Sequence, residues 1–304
     1  MWANYILGVL NQLKEKGYNF TGFQMVFSST IPMGAGLSSS AALECGIAYA
    51  LNTLFDLGLT QEEIALIGQK AEHTFAGVNC GIMDQFASVF GKKNQVIQLD
   101  CTTLEHTYYK ANFKNHTLVL LDSCVKHSHL TSGYNDRRNE VEKGLSIIKN
   151  HFPKVQTFRN CNAEMIHTLE SELGEIIYKR CLFVVNEIHR VKEAVKAIEN
   201  EKFTTLGQLM TETHHGLSKN YEVSCEEIDF LVETALENKA VLGARMMGGG
   251  FGGCSINLIE KGKEDNVIAT VSQAYKKQFG IDLNPYKIKI SKGTSEYKKT
   301  YANL

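Results

Sequence analysis

The apolar and polar positions divide the chain into helix-like and strand-like stretches. Ala3 to Lys16 reads as a helix that ends at Gly17. Phe20 to Ser28 alternates as a strand does. A second helix is predicted over Ala41 to Leu54, stopped by the turn Asp56-Leu57-Gly58. Thr60-Gln61-Glu62-Glu63 has the form of a capping box and starts a helix running to about Phe75. Gly77 to Gly81 is a loop, and Met83 to Phe90 a short helix. Val96 to Leu99 and Thr117 to Leu121 look like strands, the second buried by its unbroken apolar run. Thr131 to Phe152 is a long helix closed by Pro153. Ala163 to Leu236 is mainly helical, and Ser224-Cys225-Glu226-Glu227 offers another capping box. Cys254 to Ile259 and Tyr286 to Ile290 read as strands around a helix near 264–279. The sum is an α+β protein of two subdomains joined near residue 115.

Composition narrows the function classes. The chain has 304 residues and a formal net charge of −1, so no strong field draws nucleic acid or an anionic membrane. No apolar stretch approaches the roughly 20 residues that span a bilayer. The opening Met1-Trp2-Ala3-Asn4-Tyr5 has no signal-peptide pattern. Eight cysteines are scattered without a Cys-x-x-Cys pair, which argues against a disulfide framework or structural zinc and points to a reducing cytoplasm.

The most informative chemistry lies in Pro32-Met33-Gly34-Ala35-Gly36-Leu37-Ser38-Ser39-Ser40-Ala41-Ala42, between the expected strand and helix. Two glycines let backbone approach a ligand. Three serines and the first N–H groups of a helix offer donors, and the helix dipole favours an anion. The alternative is a Gly-Ser turn that only caps the helix. No Gly-Lys-Ser/Thr follows, so this is not a Walker A loop. A second loop, Met247 to Cys254, holds five glycines. Gly248, Gly250 and Gly253 fit Gly-x-Gly-x-x-Gly formally, but a strand-like run follows instead of the helix that a dinucleotide fingerprint needs. Either close packing or a ligand explains it.

Asp84, among apolar residues just after Gly81, could receive a hydroxyl proton in a transfer reaction or could cap the short helix. Glu72 is a hard oxygen ligand of the kind Mg²⁺ selects, and Ser40 could add a second oxygen; alone, Glu72 also fits a solvated helix carboxylate. His127, His129, His214 and His215 have no third ligand at suggestive spacing, which favours hydrogen-bonding or surface histidines.

Taken together these motifs resemble the GHMP family of small-molecule kinases. The phosphate loop Pro32 to Ala41 and the C-terminal glycine motif Gly243 to Cys254 carry the family likeness. Narrower marks resemble the galactose-phosphorylating members: Cys80-Gly81-Ile82-Met83-Asp84-Gln85-Phe86, Val125 to Ser128 with Tyr134 to Arg138, Tyr221 to Cys225 with Glu227 and Asp229, and Trp2 to Tyr5 with Gly8-Val9.

The resemblance implies a two-domain fold. Residues 1–115 would form an incomplete ribosomal protein S5 domain 2-like unit that binds ATP, and 116–304 a ferredoxin-like α+β unit. It implies ATP-dependent phosphorylation of D-galactose to galactose 1-phosphate by a cytoplasmic monomer, with Mg²⁺. Asp84 would be the catalytic base. Gly34, Ala35, Gly36, Leu37, Ser38, Ser39 and Ser40 would wrap the phosphates. Ser40 and Glu72 would hold the metal, Gly81, Asp84 and Tyr134 would contact the sugar, and Trp2 and Tyr5 would lie near adenine. Family members carry a strand-rich segment, with further sugar contacts and an arginine beside the catalytic Asp, before the helix that opens this chain. The resemblance therefore also implies a truncated front and impaired activity. A relative acting on N-acetylgalactosamine, and a non-catalytic sugar or nucleotide sensor, are the alternatives.

Overall fold

The computed structural model describes residues 2–32, 36–126 and 130–297, with only the backbone of Lys126 and Leu130–Ser132. Two compact units emerge. The first comprises residues up to Pro32, Ser38–Lys110, and the chain from Ile290 onward; the second comprises the loop up to Leu37 and Ala111–Lys289.

Four helices build the first unit: α1 (Ala3–Glu15), α2 (Ser39–Phe55), α3 (Gln61–Ala71) and α4 (Met83–Phe90). Their apolar faces meet in a core of Val9, Leu13, Leu51, Ile64, Ile67 and Phe86. The predicted capping box at Thr60 forms, with reciprocal bonds between Thr60 and Glu63. Gly8 lets α1 lie against α3, since a Cβ there would sit 2.8 Å from that of Ala71. Strands β1 (Gln95–Leu99) and β2 (His106–Lys110) pair antiparallel; β2 carries no strong apolar alternation and was not expected.

One expectation needs correction here. Residues 20–28 form no strand, although Phe20, Phe23 and Met25 do pack on the core. A strand exists by its ladder, and among the described residues none pairs with this segment, which leaves Val26 fully exposed and Phe27 half-exposed. The helix expected to run to about Phe75 does so, turning from α to π over Glu72–Ala76. Residues from Ile290 to Tyr297 contact the first unit, with Gly293 N–H on the Gly91 carbonyl (2.7 Å) and Thr294 N–H on that of Ser88 (2.7 Å).

The second unit is a four-stranded antiparallel sheet in the order β4 (Val241–Met246), β5 (Gly252–Glu260), β3 (His116–Lys126), β6 (Asn284–Ile288). Alternation along β3 sends Val119 and Leu121 into a core with α9 (Glu226–Leu236) and α10 (Glu264–Phe279). Leu120 faces the other side with Cys254. Helices α5 (Leu130–His151), α6 (Ala163–Thr168) and α7 (Glu170–Glu199, broken at Gly174) share a second core around Ile148, Ile166 and Cys181. Helix α8 (Phe203–Lys219) lies on β4, where Gly207 and Gly243 touch backbone to backbone. The box expected at Ser224 does not form. Helix α9 starts one residue later with Cys225 as N-cap, and Glu226, Glu227 and Asp229 in its first turn complement the dipole instead.

Candidate active site

The first unit gathers Ser38–Ser40, Tyr5, Glu72, Gly81 and Asp84. Helix α2 begins after Ser38, which holds the left-handed conformation (φ +51°) and makes no side-chain cap. A turn serving only to cap would spend its hydroxyl on the helix N–H groups; this one does not. The helix end thus keeps its partial positive charge for a ligand. The Ser40 hydroxyl instead donates to Glu72 Oε1 at 3.1 Å.

Glu72 sits where the helix widens to π geometry, a distortion frequent at functional sites. Its other oxygen accepts from Gln85 Nε2 at 2.8 Å and from the Cys80 thiol at 3.6 Å. Burial raises the Glu72 pKa, opposed by the Ser40, Cys80 and Gln85 hydrogen bonds and reinforced by the charge of Asp84. Gln85, fully buried, also donates to Glu44 Oε2 at 3.3 Å. Burial, then the charge of Glu72, pushes the equally buried Glu44 up to about 9, so it is protonated at neutral pH. Glu44 Oε1 and Gln85 Oε1 have no hydrogen-bond partner.

Asp84 lies in the first turn of α4, half-buried, beside Gln85. Gly81 is exposed, with nothing within 4 Å of where its Cβ would be, and so leaves room beside Asp84. The loop before it is pinned because the Cys80 carbonyl accepts from Gln69 (3.2 Å) and bonds His73 Nε2 (2.8 Å). Tyr5 lies near this acidic group: its pKa is raised by burial, then by Glu72, Glu44 and Cys80. Trp2 is largely exposed, edge-on to Phe27 at 5.7 Å.

A cation would suit the Ser40–Glu72 pair. Two hard oxygens already 3.1 Å apart, one on a carboxylate that burial destabilises as an anion, fit Mg²⁺ completed by phosphate and water. Among the described residues no three His, Cys, Asp or Glu side chains cluster as a further metal site. His214 is buried and structural: it bonds the Met246 N–H through Nδ1 (3.3 Å) and faces Asp229 through Nε2 (3.3 Å). His215 pairs with Glu233 at the surface. His127 and His129 lie outside the described residues, as do Gly34 and Ala35.

The second unit holds Gly36, Leu37, Tyr134 and the glycine-rich loop. Here the two glycine motifs meet: a Cβ on Gly36 would lie 3.2 Å from the Met247 carbonyl oxygen, and one on Gly248 would lie 3.4 Å from Gly36 Cα. Leu37 packs on Leu120 and Cys254. Gly250 (φ +94°) admits no side chain at all, because a Cβ would stand 2.0 Å from the Val223 carbonyl oxygen. Close packing therefore accounts for Gly250. Tyr134 lies over it, its ring 3.4 Å from a Cβ built on Gly249.

Sequence reasoning missed Glu44, Cys80 and Gln85. Gln85 had a signal, as the neighbour of Asp84 in a quoted motif; Glu44 looked like any polar residue of an amphipathic helix.

The description "GHMP kinases N terminal domain" matches residues 4–92, and "GHMP kinases C terminal" matches 194–277. With an uncapped helix end behind a glycine loop, a second glycine loop and an acidic cluster, the chain belongs to the GHMP kinases, on their galactokinase branch. It is 40% identical to the galactokinase of Thermosipho africanus, across 98% of this chain and 82% of that one. Identity to the galactokinase of Thermotoga maritima is 41%, across 97% and 82%. A crystal structure of Lactococcus lactis galactokinase complexed with galactose superposes with a TM-score of 0.93, at 34% identity, over 98% of this chain and 77% of that one.

Proposed function

We propose that the chain moves the γ-phosphoryl group of ATP to the anomeric hydroxyl of D-galactose, giving galactose 1-phosphate and ADP. Likeness to galactokinases over nearly the whole chain supports this reading. The observation that carries it on the structural side is Asp84, beside open space at Gly81, on the same small unit as the Ser40–Glu72 oxygen pair. The Asp84 carboxylate takes the proton of the sugar hydroxyl as that oxygen bonds the γ-phosphorus. The bond from the γ-phosphorus to the bridging oxygen breaks, and ADP leaves with the electron pair.

The N–H groups opening α2 hold phosphate, together with the loop through Gly34, Ala35, Gly36 and Leu37. Ser40 and Glu72 hold Mg²⁺, which neutralises phosphate charge when bound. Gly81 and Tyr134 contact the sugar, and Trp2 and Tyr5 lie toward the adenine. Residues 1–115 and 116–304 are proposed as the two domains along the sequence, with the stretch from Ile290 to Tyr297 returning to pack on the first unit. All eight cysteines are free thiols, which supports a cytoplasmic setting. No helix among the described residues is long and apolar enough to cross a membrane.

The test is galactose-dependent ADP formation from Mg·ATP, with Asp84→Asn as control and N-acetylgalactosamine as competing acceptor. Turnover with galactose that falls by about 10² or more in the variant is expected. Turnover unchanged in Asp84→Asn overturns the base assignment. Sugar and nucleotide binding without transfer would replace the kinase reading with a sensor.

A further inference from the structure

Four charged side chains lie together in the second unit. Arg180, on α7, is 2% exposed. Its Nε donates to Glu140 Oε2, one η nitrogen donates to the Asn220 carbonyl (2.8 Å), and the other to Glu222 Oε2 (2.9 Å). Arg137 reaches the same two acids: an η nitrogen donates to both Glu140 oxygens at 3.1 Å, and Nε donates to the Glu222 carbonyl at 3.4 Å. Two arginines thus share two glutamates, joining α5, α7 and the turn after α8. One charged bond of the Arg180 guanidinium anchors Glu140 and the other anchors Glu222, which stands in a left-handed conformation (φ +52°) that a glutamate seldom adopts unaided.

The next residue passes this placement on. Val223 accepts the Phe251 N–H at 2.7 Å through the carbonyl that also bars any side chain from Gly250. The Phe251 ring in turn presses on Gly133, where a Cβ would lie 2.5 Å from its Cζ, and Gly249 lies under the Tyr134 ring. Gly133 and Tyr134 share helix α5 with Arg137 and Glu140. The circuit closes on itself: α5, the charge quartet, the 220–223 turn, the glycine loop, and α5 again.

We propose that Arg180 is a positioning residue for the sugar-binding side chain Tyr134. It fixes the 220–223 turn, and through Val223 and Phe251 the surface on which the Tyr134 ring rests. The proposal rests on the reading above that Tyr134 contacts galactose. A buried arginine kept for stability alone would lower the melting temperature and leave the affinity of the folded protein for both substrates unchanged. A positioning residue shifts one substrate and spares the other.

The experiment is calorimetric binding of galactose and, separately, of Mg·ATP, with KM for each where turnover is measurable. The proteins are the unaltered chain, Arg180→Met, Arg180→Lys, Glu222→Gln and Tyr134→Phe. Glu222 is more than half exposed, so its variant tests the same circuit should Arg180→Met fail to fold. Arg180→Met is expected to weaken galactose about tenfold and Mg·ATP less than twofold, with Arg180→Lys intermediate and Glu222→Gln weakening galactose about threefold. Tyr134→Phe should weaken galactose as well. Weakening by Tyr134→Phe with unchanged galactose affinity in folded Arg180→Met, or in Glu222→Gln if that alone folds, overturns the positioning role. Unchanged galactose affinity in Tyr134→Phe overturns the sugar-contact reading instead. Equal weakening of both substrates shows that Arg180 has no selective link to the sugar side and overturns the proposal.

Discussion

Glu44 has no exposed surface, and burial with the nearby Glu72 charge holds its carboxyl near 9 rather than at its ordinary 4.5. The folded protein therefore binds a proton there that the unfolded chain releases above pH 4.5. Between those two values folding takes up a proton, so stability falls as pH rises, by about 1.4 kcal/mol per pH unit from this group. At pH 7 the contribution is about 3 kcal/mol against folding; at pH 5 it is below about 1 kcal/mol. Glu44→Gln keeps the size and the hydrogen-bonding shape next to Gln85 and has nothing to titrate. It should melt about 5–10 °C higher than the parent at pH 7, and nearly level with it at pH 5. Thermal melts followed by circular dichroism at pH 5, 6, 7 and 8 on both proteins measure this. Parallel curves, with no widening of the gap as pH rises, would show that Glu44 is not held neutral and sink the argument.

Three further outcomes are expected. Gly250→Ala places a Cβ against the backbone of Val223, where nothing can swing aside, at a φ that alanine resists; it should cost about 3 kcal/mol or more and be visible as a lower denaturation midpoint. Tyr275→Phe removes the fully buried hydroxyl that donates to the Ser123 carbonyl at 2.9 Å and should cost about 1–2 kcal/mol in urea unfolding. Iodoacetamide at pH 8, mapped by mass spectrometry, should label exposed Cys101 before Cys45, Cys181, Cys225 and Cys254, whose thiols burial pushes up to about 12. Equal labelling rates would contradict that burial.

Local chemistry made much of this protein legible. The Thr60 box, the Gly17 stop and the apolar run of β3 act within a few residues, and each appears where the pattern put it. The segment 20–28 shows the limit: alternation says which side chains face a core, and Phe20 and Phe23 do, but pairing needs a partner elsewhere in space. At the candidate site, Ser40, Glu72 and Asp84 were nameable because their residue types suit the chemistry. The links joining Glu72 to Glu44 through Gln85, and Arg180 to Glu222, span 13 to 42 positions and leave no periodic trace. Nor does composition announce the π turn at Glu72, since it depends on what the helix must reach.

The return of Ile290 to Tyr297 to α4 sets an order on how the chain matures at the ribosome. Thr294 bonds the Ser88 carbonyl across 206 positions. Residues 38–110 leave the exit tunnel long before that partner is made, and at about 5–20 residues per second the wait is on the order of 10–40 s. During it, the carbonyls of Ser88 and Gly91 and the hydroxyl of Tyr49 must do without the backbone N–H groups of Thr294, Gly293 and Glu296. The nascent first unit is thus exposed to chaperones and proteases for as long as the second unit takes to be synthesised, and premature termination anywhere in 111–289 releases it unclosed.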